Sequence, residues 1–189
     1  MSPEIHADFL SYAQRLESRR PETIDLLVIH CTELPDLAMA RIWGEKIHYP
    51  ETQTGNCGHF YIDRDGRTEQ WAPLDRVAHH VRGFNPRSIG VELINNGRYP
   101  DWFHSGHQRM SEPYPEAQIE SLALLANHLR QQIPGLAEVA GHEDLDTSMI
   151  PSQDAPDVMI RRKLDPGPLF PWATFMQRVS LHRWQSPGP

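Results

Sequence analysis

The sequence predicts a single α/β domain built on one mixed sheet. Three observations carry that reading: short apolar runs of strand character, an amphipathic helical pattern among them, and an Asp-Gly hairpin signal. At 189 residues the chain is long enough for one compact core and short for two. Neither an internal repeat nor a domain-separating linker interrupts it.

Taken in order, residues 1–23 are expected as an N-terminal helical extension. Ile5, Phe9, Leu10, Tyr12 and Leu16 recur at roughly helical spacing over 3–19, and the polar SRRPE ends the pattern. The main domain is expected over 24–184. It opens with IDLLVI, a β-branched apolar run of buried-strand type that ends at His30. Residues 35–50 read as a short helix and loop. GHFYID and RTEQW then flank a hairpin turn at Asp65 and Gly66, which makes the sheet mixed. SIGVEL alternates, with Ile89, Val91 and Leu93 on one face and Ser88, Gly90 and Glu92 on the other.

The strongest helix signal is 115–133. Pro115 stands near its first turn, Ile119, Leu122, Leu125, Ala126, Leu129 and Ile133 form its stripe, and Pro134-Gly135 closes it. LAEVA reads as a short strand, 144–171 as one long loop rich in Pro, Asp and Ser, and PWATFMQRVSLHRW as a closing helix.

A formal net charge of −7 with scattered Lys and Arg leaves no phosphate-neutralising patch, so nucleic acid is not expected as a partner. No apolar run reaches the roughly 20 residues of a membrane span. The opening residues lack the basic and apolar regions of a Sec leader, so a soluble protein is expected. Cys31 and Cys57 are expected to be reduced.

Of eleven histidines, His30 and His142 stand apart because each follows an apolar strand-like run, VIH and EVAGH, where a sheet can fix an imidazole. A catalytic zinc takes three protein ligands, and the candidate third is Asp165 in KLDPGPLFPW. Pro166 favours an extended Asp165, so Lys163, two residues earlier, should project into the same site and meet a developing oxyanion. A proton-transferring carboxylate is also required. Glu92, on the polar face of its strand, is the candidate, although spacing alone leaves a solvated strand glutamate equally open. Cys31, adjacent to His30, should point away from the site as a buried small side chain.

VIHCTE, HFYIDRDG, AHHVRGFNPRSIGVEL, AGHEDLD and KLDPGPLFPW, in that order from about residue 24 to 172, resemble the N-acetylmuramoyl-L-alanine amidases of the AmpD and phage-lysozyme type. The resemblance implies a central mixed sheet flanked by helices, the peptidoglycan-recognition and amidase fold, with a zinc site at one end. It carries Zn²⁺ to His30, His142 and Asp165, catalysis to Glu92 and Lys163, and substrate binding to His80. Phage-type members place a catalytic tyrosine just before the histidine of the HF motif. Here that position is Gly58, which shifts proton transfer to Glu92. The stretch 143–162 is longer than the family's usual spacer and is expected to cover the substrate groove as a flap.

The implied reaction is hydrolysis of the amide between N-acetylmuramic acid, or its 1,6-anhydro form, and L-alanine in peptidoglycan fragments. A cytoplasmic monomer acting on anhydro-muropeptide in wall recycling is expected. A non-catalytic peptidoglycan-binding module, a peptidase of the stem peptide and an exported wall-lytic amidase are the alternatives.

Overall fold

The computed structural model describes residues 2–186. Its centre is a seven-stranded sheet of β1 (Ile5–Ala7), β2 (Leu26–Cys31), β3 (Phe60–Ile62), β4 (Thr68–Gln70), β5 (Ser88–Leu93), β6 (Glu138–Gly141) and β9 (His182–Arg183). The spatial order is β1-β4-β3-β5-β2-β6-β9, antiparallel between β3 and β4 and parallel elsewhere. The mixed sheet flanked by helices is therefore as the sequence predicts. The hairpin turn also lies where expected, with Gly66 at φ +90°, a conformation that glycine adopts without steric cost.

Alternation along the strands divides the sheet into two faces. Leu27 and Ile29 of β2, Ile89, Val91 and Leu93 of β5, and Phe60 and Ile62 of β3 form one core with α2 (Glu116–Gln132). The helix contributes Ile119, Leu122, Leu125, Ala126 and Leu129, the stripe read from the sequence. Leu26 and Val28 face the other way and pack with Val81 and Ala140. On that side lies α1 (Leu37–Gly44), whose first turn is closed by the Asp36 carboxylate accepting the Met39 N–H at 2.7 Å. The remaining elements are α3 (His142–Leu145), β7 (Met149–Pro151), β8 (Met159–Arg161) and α4 (Trp172–Met176).

Three segments differ from their expected form. Residues 3–19 contain strand β1 and a 3₁₀ turn at Ala13–Arg15 instead of a helix. The open edge of β4 decides this: β1 pairs with it in parallel, and Asp8 and Leu10 continue the backbone bonding to Gln70 and Trp71. Leu10, Tyr12, Ala13 and Leu16 are then buried beside Trp71 and Leu37 without a helical stripe. The long loop contains an antiparallel β7–β8 pair. The closing helix is one short piece, α4, because His182 and Arg183 leave it to pair with β6 at the sheet edge.

Candidate metal centre

Register and parity build the site. His30 and Glu92 are partners across β2 and β5, and Glu92 and Tyr61 are partners across β5 and β3. These three positions form a row on the face turned away from α2. His142 follows β6 as the first residue of α3, and Asp165 arrives from the irregular stretch after β8, where the Asp165–Pro166 bond is cis.

The side chains of His30, His142 and Asp165 are all buried and meet: Asp165 Oδ2 lies 3.0 Å from His30 Nδ1 and 3.1 Å from His142 Nδ1. Glu92 stands beside them, with Oε1 4.0 Å from His30 Nδ1 and its side chain 15% exposed. These residues floor an open groove of about 740 Å³ that Lys163 also lines, with Trp43, Trp102, Arg82 and Arg162 on its walls. The resemblance-derived residues thus converge on one cavity.

Burial, reinforced by the neighbouring Asp165 carboxylate, pushes the Glu92 carboxyl up to about 8, against the pull of the Lys163 ammonium. Burial likewise brings His30 down to about 4. For Asp165, burial opposes the charge, but His142, Lys163 and the contacts from both imidazoles outweigh it and hold the carboxyl well below the usual range. An anionic Asp165 faced by two nitrogen donors, its other oxygen buried and unpartnered, is a donor set that fits a divalent cation. His30, His142 and Asp165 can hold such an ion between them. The site requires no movement of these groups to bring them together.

The family model for N-acetylmuramoyl-L-alanine amidase matches residues 20–168. The chain belongs to the N-acetylmuramoyl-L-alanine amidase family. It is 33% identical over 180 residues to the 1,6-anhydro-N-acetylmuramyl-L-alanine amidase AmpD of Escherichia coli, an alignment covering 84% of each chain. With the enzyme of the same description from Enterobacter cloacae it shares 31% over 123 residues, covering 60% of this chain and 52% of that protein. A crystal structure of a selenomethionine AmpD derivative, 25% identical, superposes with a TM-score of 0.65 over 93% of this chain and 94% of that one.

Several features of this amidase site are not evident from sequence alone. Arg98, fully buried, grips Glu33 through Nε–Oε1 at 2.7 Å and Nη2–Oε2 at 2.9 Å. Its guanidinium also donates to Gln108 Oε1 and to the carbonyls of Arg161 and Arg162, just before Lys163. Tyr61, opposite Glu92, lines the groove, and its hydroxyl accepts the Gly58 N–H at 3.1 Å. The turns around β7–β8 are tied to a neighbouring loop, with Gln153 N–H donating to the Phe103 carbonyl and Ser105 bonded to Asp154. Cys31 and Cys57 are free and buried. Among the described residues no helix is long and apolar enough to cross a membrane.

Proposed function

We propose that this chain is a zinc amidase that hydrolyses the amide between the lactyl group of N-acetylmuramic acid, or its 1,6-anhydro form, and L-alanine in peptidoglycan fragments. Cytoplasmic wall recycling is the role this reading assigns it. The observation that carries it is the meeting of two imidazole Nδ1 atoms on one Asp165 oxygen, beside a carboxyl of raised proton affinity, in a chain of this family.

His30, His142 and Asp165 would hold the ion. When bound, zinc supplies Lewis-acid polarisation of the scissile carbonyl and acidifies the attacking water. Glu92 takes the proton from that water and returns it to the alanine nitrogen as the bond breaks. The Lys163 ammonium stabilises negative charge on the carbonyl oxygen. Trp43 and Trp102, in edge-to-face contact at 5.8 Å, line the groove with apolar aromatic surface on which the face of a sugar ring can pack.

Mass spectrometry of products from anhydro-muropeptide and from whole sacculi, with metal analysis of the purified protein, tests this. The expected outcome is about one zinc per chain and an intact stem peptide with a free L-alanine amine, released faster from the soluble fragment. Release of single amino acids would make the chain a peptidase. Faster release from sacculi would move its role to wall lysis.

A further inference from the structure

The polar face of β5 carries Ser88, Gly90 and Glu92, and His80 lies against it. His80 Nδ1 is 3.0 Å from Nε2 of His30, and His80 Nε2 is 3.1 Å from the Ser88 hydroxyl. Both ring nitrogens of His80 are therefore engaged by protein. Ser88 Oγ is also 2.9 Å from the Phe84 carbonyl oxygen, and Asn85 Oδ1 accepts the N–H groups of His80 and Val81, fixing the backbone that presents the ring. A Cβ on Gly90 would lie 2.6 Å from His80 Cγ, so only glycine at that position lets the ring rest on the strand.

Proton counting along these contacts gives a direction. The Phe84 carbonyl only accepts, so the single Ser88 hydroxyl proton points at it. Ser88 Oγ must then accept from His80, which places a proton on His80 Nε2. A neutral imidazole that carries its proton on Nε2 has its lone pair on Nδ1, the nitrogen that His80 turns to His30. That nitrogen accepts the N–H of His30 Nε2, and the His30 lone pair is left on Nδ1, the atom that faces Asp165 and His142.

We propose that Ser88 and His80 are positioning residues that set the tautomer of His30 through a one-directional relay, Phe84 carbonyl from Ser88, Ser88 from His80, His80 from His30, so that Nδ1 is the ligating atom. His80 then acts on the metal site through His30 and makes no polar contact with substrate. This rests on the reading of His30 as a metal ligand. It assigns a purpose to Ser88 and Gly90 of the SIGVEL strand, both of which the family reaction leaves without a role. A metal-bound imidazole is ordinarily oriented by the partner of its other nitrogen, and loss of such a partner costs about 10- to 100-fold in metal affinity.

Long-range ¹H–¹⁵N correlation spectra of the histidine rings, recorded for the wild-type protein both stripped of metal and loaded with zinc, test the relay. The expected pattern is His80 protonated on Nε2 and bare on Nδ1 in both states, and His30 protonated on Nε2 when zinc is bound. His80 protonated on Nδ1 would overturn the relay while leaving zinc binding untouched. Failure of the wild type to bind zinc would overturn the zinc reading, with the His80 tautomer still readable in the stripped protein. In chelator competition, Ser88→Ala is expected to bind zinc at least about tenfold more weakly. Ser88→Thr, which keeps the hydroxyl, should recover most of that loss. Equal zinc affinity for Ser88→Ala and wild type would count against the relay.

Discussion

Gly58 and Glu92 are matched in space: a Cβ on Gly58 would lie 2.8 Å from Glu92 Cγ. Where phage-type relatives are expected to carry tyrosine, this chain has no side chain, and the Glu92 Cγ methylene occupies the room so left, with the carboxyl beyond it 4.0 Å from His30 Nδ1. Gly58→Ala should therefore retain zinc and fold while displacing the carboxyl. A misplacement of about 1 Å in a reacting group can cost about 10²-fold in rate, and a fall in kcat of that order is expected. Wild-type kcat in this variant, with unchanged metal content, would show that Glu92 does not need that space.

Glu92→Gln separates proton transfer from metal binding. The amide keeps the size of the side chain but cannot accept a proton, so kcat should fall by about 10²-fold or more with zinc retained. The metal-free protein offers a second readout. Burial raises the Glu92 carboxyl to about 8 in the fold, from its ordinary 4.5, so the folded state holds a proton that the unfolded chain releases between these values. Stability then declines as pH rises through that window, and the glutamine variant lacks the decline. Urea denaturation of both metal-free proteins should give similar stabilities near pH 4.5 and a more stable variant above pH 8. A stability difference that does not change with pH would refute the raised proton affinity.

Strand parity made much of this site legible in the sequence. The alternation of SIGVEL assigned Glu92 to the face opposite Ile89, Val91 and Leu93, and the runs VIH and EVAGH put His30 and His142 each at a strand end, while the parallel pairing of β2 with β6 that brings those ends together emerges only in the fold. The closeness of Asp165 to them came from the family resemblance, since contacts across 135 residues have no periodic signature. The N-terminal segment misled because Ile5, Phe9, Leu10, Tyr12 and Leu16 have near-helical spacing, while the competing influence, an unfilled edge at β4, is a property of the assembled sheet. The hydrogen-bonded run from His30 through His80 to Ser88 was likewise invisible, because AHHVRG shows two histidines and not which nitrogen each presents.

Lys163 lines the groove, and its charge lowers the proton affinity of both Asp165 and Glu92. Lys163→Met should keep zinc while lowering kcat, with a loss of about 3 kcal/mol of transition-state stabilisation if the ammonium meets the developing oxyanion. Because the cation favours the ionised carboxyl of Glu92, its removal should also move the acidic limb of the kcat/KM profile to higher pH. A rise in KM with kcat and the pH profile unchanged would assign Lys163 to substrate attraction and make Arg162, on the same groove, the better candidate for the oxyanion.

Arg98 links stability to the placement of Lys163. Its guanidinium is buried against Glu33 and also holds the carbonyls of Arg161 and Arg162, so one side chain neutralises a buried carboxylate and anchors the approach to Lys163 and Asp165. Arg98→Met leaves Glu33 buried without its cation, a change that commonly costs about 3–5 kcal/mol. Glu33→Leu in the same chain removes that unpaired charge, so the double variant should regain a large part of the lost stability in urea denaturation. It does not restore the anchors on residues 161 and 162. The double variant should therefore remain slow, with kcat well below wild type at recovered stability. Recovery of both quantities together would mean that Arg98 serves the ion pair alone and that Lys163 is placed by other contacts.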